Sequence, residues 1–113
     1  MHYLMRNPIQ NQSVEYNDNR LSLFAGQSGK CAITGELLTP YNIHCHHKVP
    51  RHLGGRDNYQ NLVLVTDNVH RLIHAKQEDT IRRHLDLHRL NPKQLKKLNQ
   101  LRNLANVESC LNI

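Results

Sequence analysis

The 113-residue chain has no tryptophan, one phenylalanine and four tyrosines. An aromatic platform for stacking unpaired bases is therefore poorly supplied, and any core must be aliphatic. Cysteine is scarce as well: Cys31, Cys45 and Cys110 form an odd set without the C-x-x-C spacing of a zinc knuckle or redox pair. They read as free thiols with structural roles, since a metal shared by Cys31 and Cys45 would lack partners. No run approaches the roughly 18 apolar residues that a membrane span requires. The start, MHYLMRNPIQ, lacks the basic stretch followed by an apolar one that marks a secretory signal, so a cytoplasmic protein without membrane contact is expected. Acid is the other deficit: 9 Asp and Glu against 15 Lys and Arg give +6 at pH 7 and a pI near 9.6, which calls for a polyanionic partner.

A chain of this length holds one domain. Residues 1–16 are polar and show no apolar period, so they predict an extended N-terminal arm, with the single folded domain over 17–107 and a frayed tail over 108–113. Asn17 or Asp18 is placed to cap a short helix with Leu21, Phe24 and Ala25 inward, closed by Gly26 to Gly29. Thr34-Gly35 marks a turn, and Tyr41 to Val49 reads as a strand leading into Pro50. A polar connection broken by Gly54-Gly55 leads to a second strand, Leu62-Val63-Leu64-Val65. Thr66 or Asp67 caps a helix to about Lys76 with Val69, Leu72 and Ile73 on one face. Two helices follow: one from Glu78 or Asp79 to about His88 with Ile81 and Leu85 inward, the other opened by Asn91-Pro92 and carrying Leu95, Leu98, Leu101 and Leu104. The expected class is α+β, an antiparallel hairpin packed on the His70 helix with helices flanking it.

Histidine is what the chain has in excess. Six of nine fall between positions 44 and 74. His70 and His74 stand four apart on the predicted helix and so project from one face. A third imidazole from the strand, His46, would complete three nitrogens around a divalent ion and leave positions open for water and a substrate oxygen. His47 points to the opposite side of a strand and is free to take a proton from water as a general base. The bland alternative for His70 and His74 is a half-exposed helix face, and His2, His52, His84 and His88 are read as surface or core residues that hold no ligand. Asp57 and Asp67 are the sole acids between Tyr41 and Ala75, which argues against a two-metal carboxylate site. Lys48, Arg51, Arg56 and Arg71 are the nearest cations and are candidates for phosphate contacts; Arg82, Arg83, Lys93, Lys96, Lys97 and Arg102 would extend the basic surface or keep it soluble.

The segment HCHHKVPRHLGGRDNYQNLVLVTDNVHRLIH resembles the HNH (ββα-metal) nucleases, including the nuclease domains of DNase colicins. The likeness rests on the His46-His47 pair, Pro50, Gly54-Gly55, Asn61 before Leu62, and His70 and His74 in H-x-x-x-H form. The wider stretch, from EYNDNRLSLF through GKCAITGELL to the leucine-rich end, is similar to the C-terminal endonuclease region of group II intron-encoded reverse transcriptases over residues 15 to 107. The resemblance implies a metal-dependent endonuclease that hydrolyses DNA phosphodiester bonds, leaving 5′-phosphate and 3′-hydroxyl ends. It makes His46, His70 and His74 the metal ligands and His47 the base. Asn61 either ties the loop that aims His47 or approaches the metal. One divalent ion is implied, Mg or Mn in use, with Zn or Ni able to occupy the site. Duplex DNA is the expected partner, with a reverse transcriptase or intron ribonucleoprotein as a further one. Typical intron-encoded members add cysteine pairs that hold a structural zinc; this chain has none, so hydrophobic packing must replace that staple. The competing reading is a non-catalytic domain in which the histidines hold a structural Zn and basic helices grip the nucleic-acid backbone.

Overall fold

The computed structural model describes residues 12–105; the outer part of the expected arm, the tail, His2 and Cys110 lie outside the described residues. Within them the chain is α+β. Helix α1 spans Val14–Gly26, strands β1 and β2 span Ile43–His47 and Leu62–Thr66, and helices α2, α3 and α4 span Asp67–His74, Glu78–His88 and Pro92–Leu104. No helix of the described residues is long and apolar enough to cross a membrane.

The two strands form one antiparallel pair in which Ile43 faces Thr66, Cys45 faces Leu64 and His47 faces Leu62. All five residues of β2 are buried, because α1 packs against this strand and α2 against both strands. A strand enclosed in this way reads as a continuous apolar run. Thr66 then does two jobs: it ends β2, and its hydroxyl accepts the Val69 N–H as the cap of α2. With no loop between strand and helix, α2 begins level with the start of β1 and turns Val69, Leu72 and Ile73 into the core, each at most 1% exposed. Ala75 takes extended dihedrals and stops the helix at His74, short of the expected Lys76. Helices α3 and α4 pack on α2. Helix α4 opens as expected at Asn91-Pro92, and Gln94 completes a capping box with Asn91.

Three expectations are corrected. Helix α1 begins at Val14 rather than at Asn17 or Asp18, because Ser13 accepts the Tyr16 N–H and Glu15 supplies an acid to the first turn. Residues 13–16 are thus part of the fold and not of an arm. The inward stripe of α1 is Tyr16, Arg20 and Leu23; Leu21 and Ala25 face solvent. Arg20 lays its aliphatic stem in the core and bonds Asn17 Oδ1 at 3.0 Å. Arg102, grouped above with the surface cations, is 2% exposed and donates to the carbonyls of Leu72 and Ile73 at the end of α2, whereas Leu104 is exposed. A charged donor that meets the last carbonyls of a helix satisfies groups that would otherwise be orphaned in the core.

Candidate metal centre

Alternation along β1 sorts its histidines onto two sides. On one side, His46 meets His70 and His74 with ring centroids 5.3 Å away in each case, and His70 and His74 stand 4.6 Å apart. One ring nitrogen from each of the three lies within 4.8 Å of the others. The spacing expected at sequence level is therefore realised: β1 supplies one imidazole and α2 two, one helical turn apart. Two observations bear on whether a cation fits here. His46 is 2% exposed, and its Nε2 is a buried polar atom with no hydrogen-bond partner among the described residues, a costly condition that a metal bond would relieve. In addition, burial, followed by mutual repulsion with His70 and His74, pushes His46 down to about 3, and burial with the neighbouring His44 and His74 does the same to His70. His74 is lowered too, by burial first and Arg102 second. The imidazoles are thus held neutral near pH 7, the form that binds a divalent cation.

His44, two residues before His46 on the same side, stacks on the His70 ring at 3.6 Å with an interplanar angle of 23°. It packs face to face on that ring, and burial lowers its pKa. Its signal was the i, i+2 spacing to His46 on a strand.

On the other side of β1, His47 stacks on the Tyr16 ring at 5.5 Å, and the Arg51 guanidinium lies over that tyrosine ring, 5.8 Å from its centroid. His47 Nε2 lies 2.8 Å from Asp57 Oδ1. Asp57 Oδ1 also accepts from Arg51 at 3.0 Å, and its Oδ2 accepts from the Ser13 hydroxyl at 2.5 Å. The Ser13 bond first and the His47 bond second draw this carboxyl down to about 2, so it is ionised and can only accept. Asp57 escaped the sequence reading; its signal was being the one acid in the loop between the strands.

The loop itself is held by Asn61. Its Oδ1 accepts the Val49 N–H at 2.9 Å, and its Nδ2 donates to the carbonyls of Val49 at 3.1 Å and Arg56 at 2.8 Å. The side chain is committed to the loop backbone, so of the two roles left open above, tying the loop is the one its contacts describe. The glycine pair is required twice over. Gly54 has φ +94°, and a Cβ on Gly55 would stand 1.7 Å from the Val49 carbonyl oxygen. This close approach folds the chain back at Pro50, whose carbonyl accepts from Gly55 N at 2.9 Å.

A cleft of about 360 Å³ brings His44, His46, His47, His70, His74 and Arg51 to one opening. Of the four proposed phosphate contacts, only Arg51 lines it. Arg56 lines a neighbouring hollow with Asn61, while Arg71 is exposed on α2 and Lys48 half-buried. Cys31 and Cys45 are free and buried, and neither joins the histidine group.

No curated protein and no solved structure matches the chain significantly. The hairpin followed by a helix agrees with an HNH ββα-metal core, and residues 29–76, which hold both strands, the loop between them and the helix of His70 and His74, match the family model described as HNH endonuclease.

Proposed function

We propose that this protein is a metal-dependent endonuclease of the HNH type that hydrolyses DNA phosphodiester bonds with one divalent ion. The observation that carries this reading is the buried, unpartnered Nε2 of His46 beside His70 and His74, with the neighbouring His47 on the far side of the strand yet opening on the same cleft. His46, His70 and His74 hold the ion, and His44 keeps the His70 ring in place. The bound ion supplies positive charge to the scissile phosphate and offsets charge that develops on its oxygens. Imidazoles suit Zn and Ni, and Mg or Mn serves when phosphate and water oxygens complete the shell.

His47 removes a proton from the attacking water, and Asn61 holds the loop against which His47 rests. Arg51 meets the phosphate inside the cleft; Lys48, Arg56 and Arg71 contact flanking phosphates without reading sequence. The basic balance of the chain and its shortage of aromatics favour duplex DNA gripped by its backbone.

The test is cleavage of supercoiled plasmid by protein stripped of metal and then supplied with Mg, Mn, Zn or Ni. The parent is expected to cut with at least one of them, and His47→Ala to lose about 10²- to 10⁴-fold in rate while keeping metal and DNA binding. A His47→Ala protein that cuts at the parental rate would remove the general-base assignment. A parent that binds Zn and DNA but cuts with none of these ions would establish the non-catalytic binding domain instead.

A further inference from the structure

We infer that Asp57 is the positioning residue for His47: its carboxylate, clamped by Ser13 and Arg51, fixes the proton on His47 Nε2 and thereby reserves Nδ1 as the atom that accepts a proton. This deepens the endonuclease reading and rests on it for its catalytic consequence. Three donors surround one carboxylate. Oδ2 takes the Ser13 hydroxyl at 2.5 Å; Oδ1 takes Arg51 at 3.0 Å and faces His47 Nε2 at 2.8 Å. An ionised carboxylate has no proton to give, so the 2.8 Å contact exists only with a hydrogen on Nε2. In the neutral ring the lone pair then sits on Nδ1, the ring nitrogen that Asp57 leaves clear.

Asp57 is in turn immobilised from three directions, two of them at its carboxylate and one at its main chain. Ser13, the cap of α1, accepts the Tyr16 N–H at 2.9 Å while donating to Asp57. Asn19 donates to the Asp57 carbonyl at 2.8 Å. Arg51 is tied to Gln12 at 2.6 Å and covers the Tyr16 ring on which His47 stacks. The first two turns of α1 thus grip the loop through Asp57, and the ring of His47 is aimed by a side chain ten residues further along. As the ring gains its proton, the carboxylate also offsets the new positive charge, as a buried acid does for a histidine base in acyl-transfer enzymes.

The test has two arms. In the first, long-range ¹⁵N–¹H correlation of the His47 ring reads the tautomer directly, with no activity required. The parent and Asp57→Asn are expected to show the Nε2–H form, because Arg51 keeps the amide oxygen of Asn turned toward His47 while Ser13 accepts from the amide nitrogen; Asp57→Ala should show a mixture. In the second arm, Asp57→Ala is expected to lower kcat about 10²-fold with KM and metal affinity within about twofold, since orientation and charge compensation of the base are lost but not binding. Asp57→Asn should recover at least about tenfold of that loss. A parental ring in the Nδ1–H form, or an Asp57→Ala enzyme with parental kcat and raised KM, would overturn the assignment. Should Asp57→Ala not fold, the parental tautomer and the Asn variant decide the matter. A parent that cuts no DNA contradicts the endonuclease reading alone, and the tautomer still judges Asp57.

Discussion

The two sides of β1 reach the same cleft by different construction. On the side of the proposed metal site, His46, His70 and His74 come from a strand and from the helix that follows its partner strand without a loop, so local spacing and one strand pairing bring them together. On the side of the proposed base, His47 meets Asp57, Asp57 meets Ser13 from 44 residues upstream, and the loop between the strands is held by Asn61 and the Gly55 approach. The first arrangement depends on helix α2 and its packing. The second depends on a loop and a distant helix end, so a side chain far from the cleft in sequence can damage one side and leave the other intact.

The largest separation of the two sides is expected from Gly55→Ala. A Cβ at 1.7 Å from a carbonyl oxygen forces the loop open, at a cost of about 3 kcal/mol, the upper end of overpacking penalties. Metal affinity should stay within about threefold of the parent, since the ligands lie outside the loop, while plasmid cleavage drops by about 10²-fold or more as His47 loses its aim. Equal loss of metal binding would mean that the loop supports both sides.

Arg102→Met probes the opposite side. It keeps the buried stem and removes the donor to Leu72 and Ile73, which leaves buried carbonyls unpaired and costs ~1–3 kcal/mol in urea unfolding. Because those carbonyls end the helix of His70 and His74, metal affinity should fall more than it does in Gly55→Ala. The reverse order would contradict the division of labour.

Acid should undo the sides in separate pH windows. In the metal-free protein His46 and His70 are pushed down to about 3, against about 6.5 in the unfolded chain. The unfolded state therefore takes up protons that the fold refuses, and stability falls as pH drops from about 6.5 toward about 3. Asp57 works at lower pH: its carboxyl is lowered from 3.8 to about 2, so its contribution is present above 3.8 and is lost as pH falls toward about 2. Melting temperatures measured from pH 7 to pH 2 should show the loss starting near 6.5, and His46→Leu should flatten the upper window only. A melting temperature unchanged between pH 6.5 and 4 would mean that the imidazoles are not held neutral by the fold.

The smallest effect expected is that of Ser13→Ala. Loss of a helix cap costs about 1 kcal/mol, measurable in urea. Without its hydroxyl, Asp57 keeps Arg51 and His47, so cleavage should fall less than in Asp57→Ala.

The same asymmetry explains what could be read from the residues alone. The H-x-x-x-H spacing, the His-His pair, Gly54-Gly55 and Asn61 obey local periodicities or turn chemistry, so they were visible in one dimension. Asn91-Pro92 was equally plain. Asp57 was seen only as a count against carboxylate chemistry, because no spacing rule links a loop acid to a histidine ten positions earlier. Ser13 and Tyr16 lie in a stretch without apolar period and so read as part of an arm, although Ser13 followed by Glu15 is a helix start. Tyr16 is buried in the core and contacts His47 and Arg51, surroundings that only the folded chain supplies. Arg102 reads as a surface cation, and Arg20 gives no signal at all, for a related reason: burial of an arginine depends on a stem that finds apolar walls and a head that finds carbonyls or an amide, and neither is written in its neighbours.

The central claim is that adjacent histidines do different work, His46 holding a cation and His47 not. Calorimetric titration of the metal-free parent, His46→Ala and His47→Ala with Zn measures this directly. The account predicts one ion per chain, with similar affinity, for the parent and His47→Ala, and loss of that site in His46→Ala. Retention of the ion by His46→Ala, or its loss in His47→Ala, would contradict it.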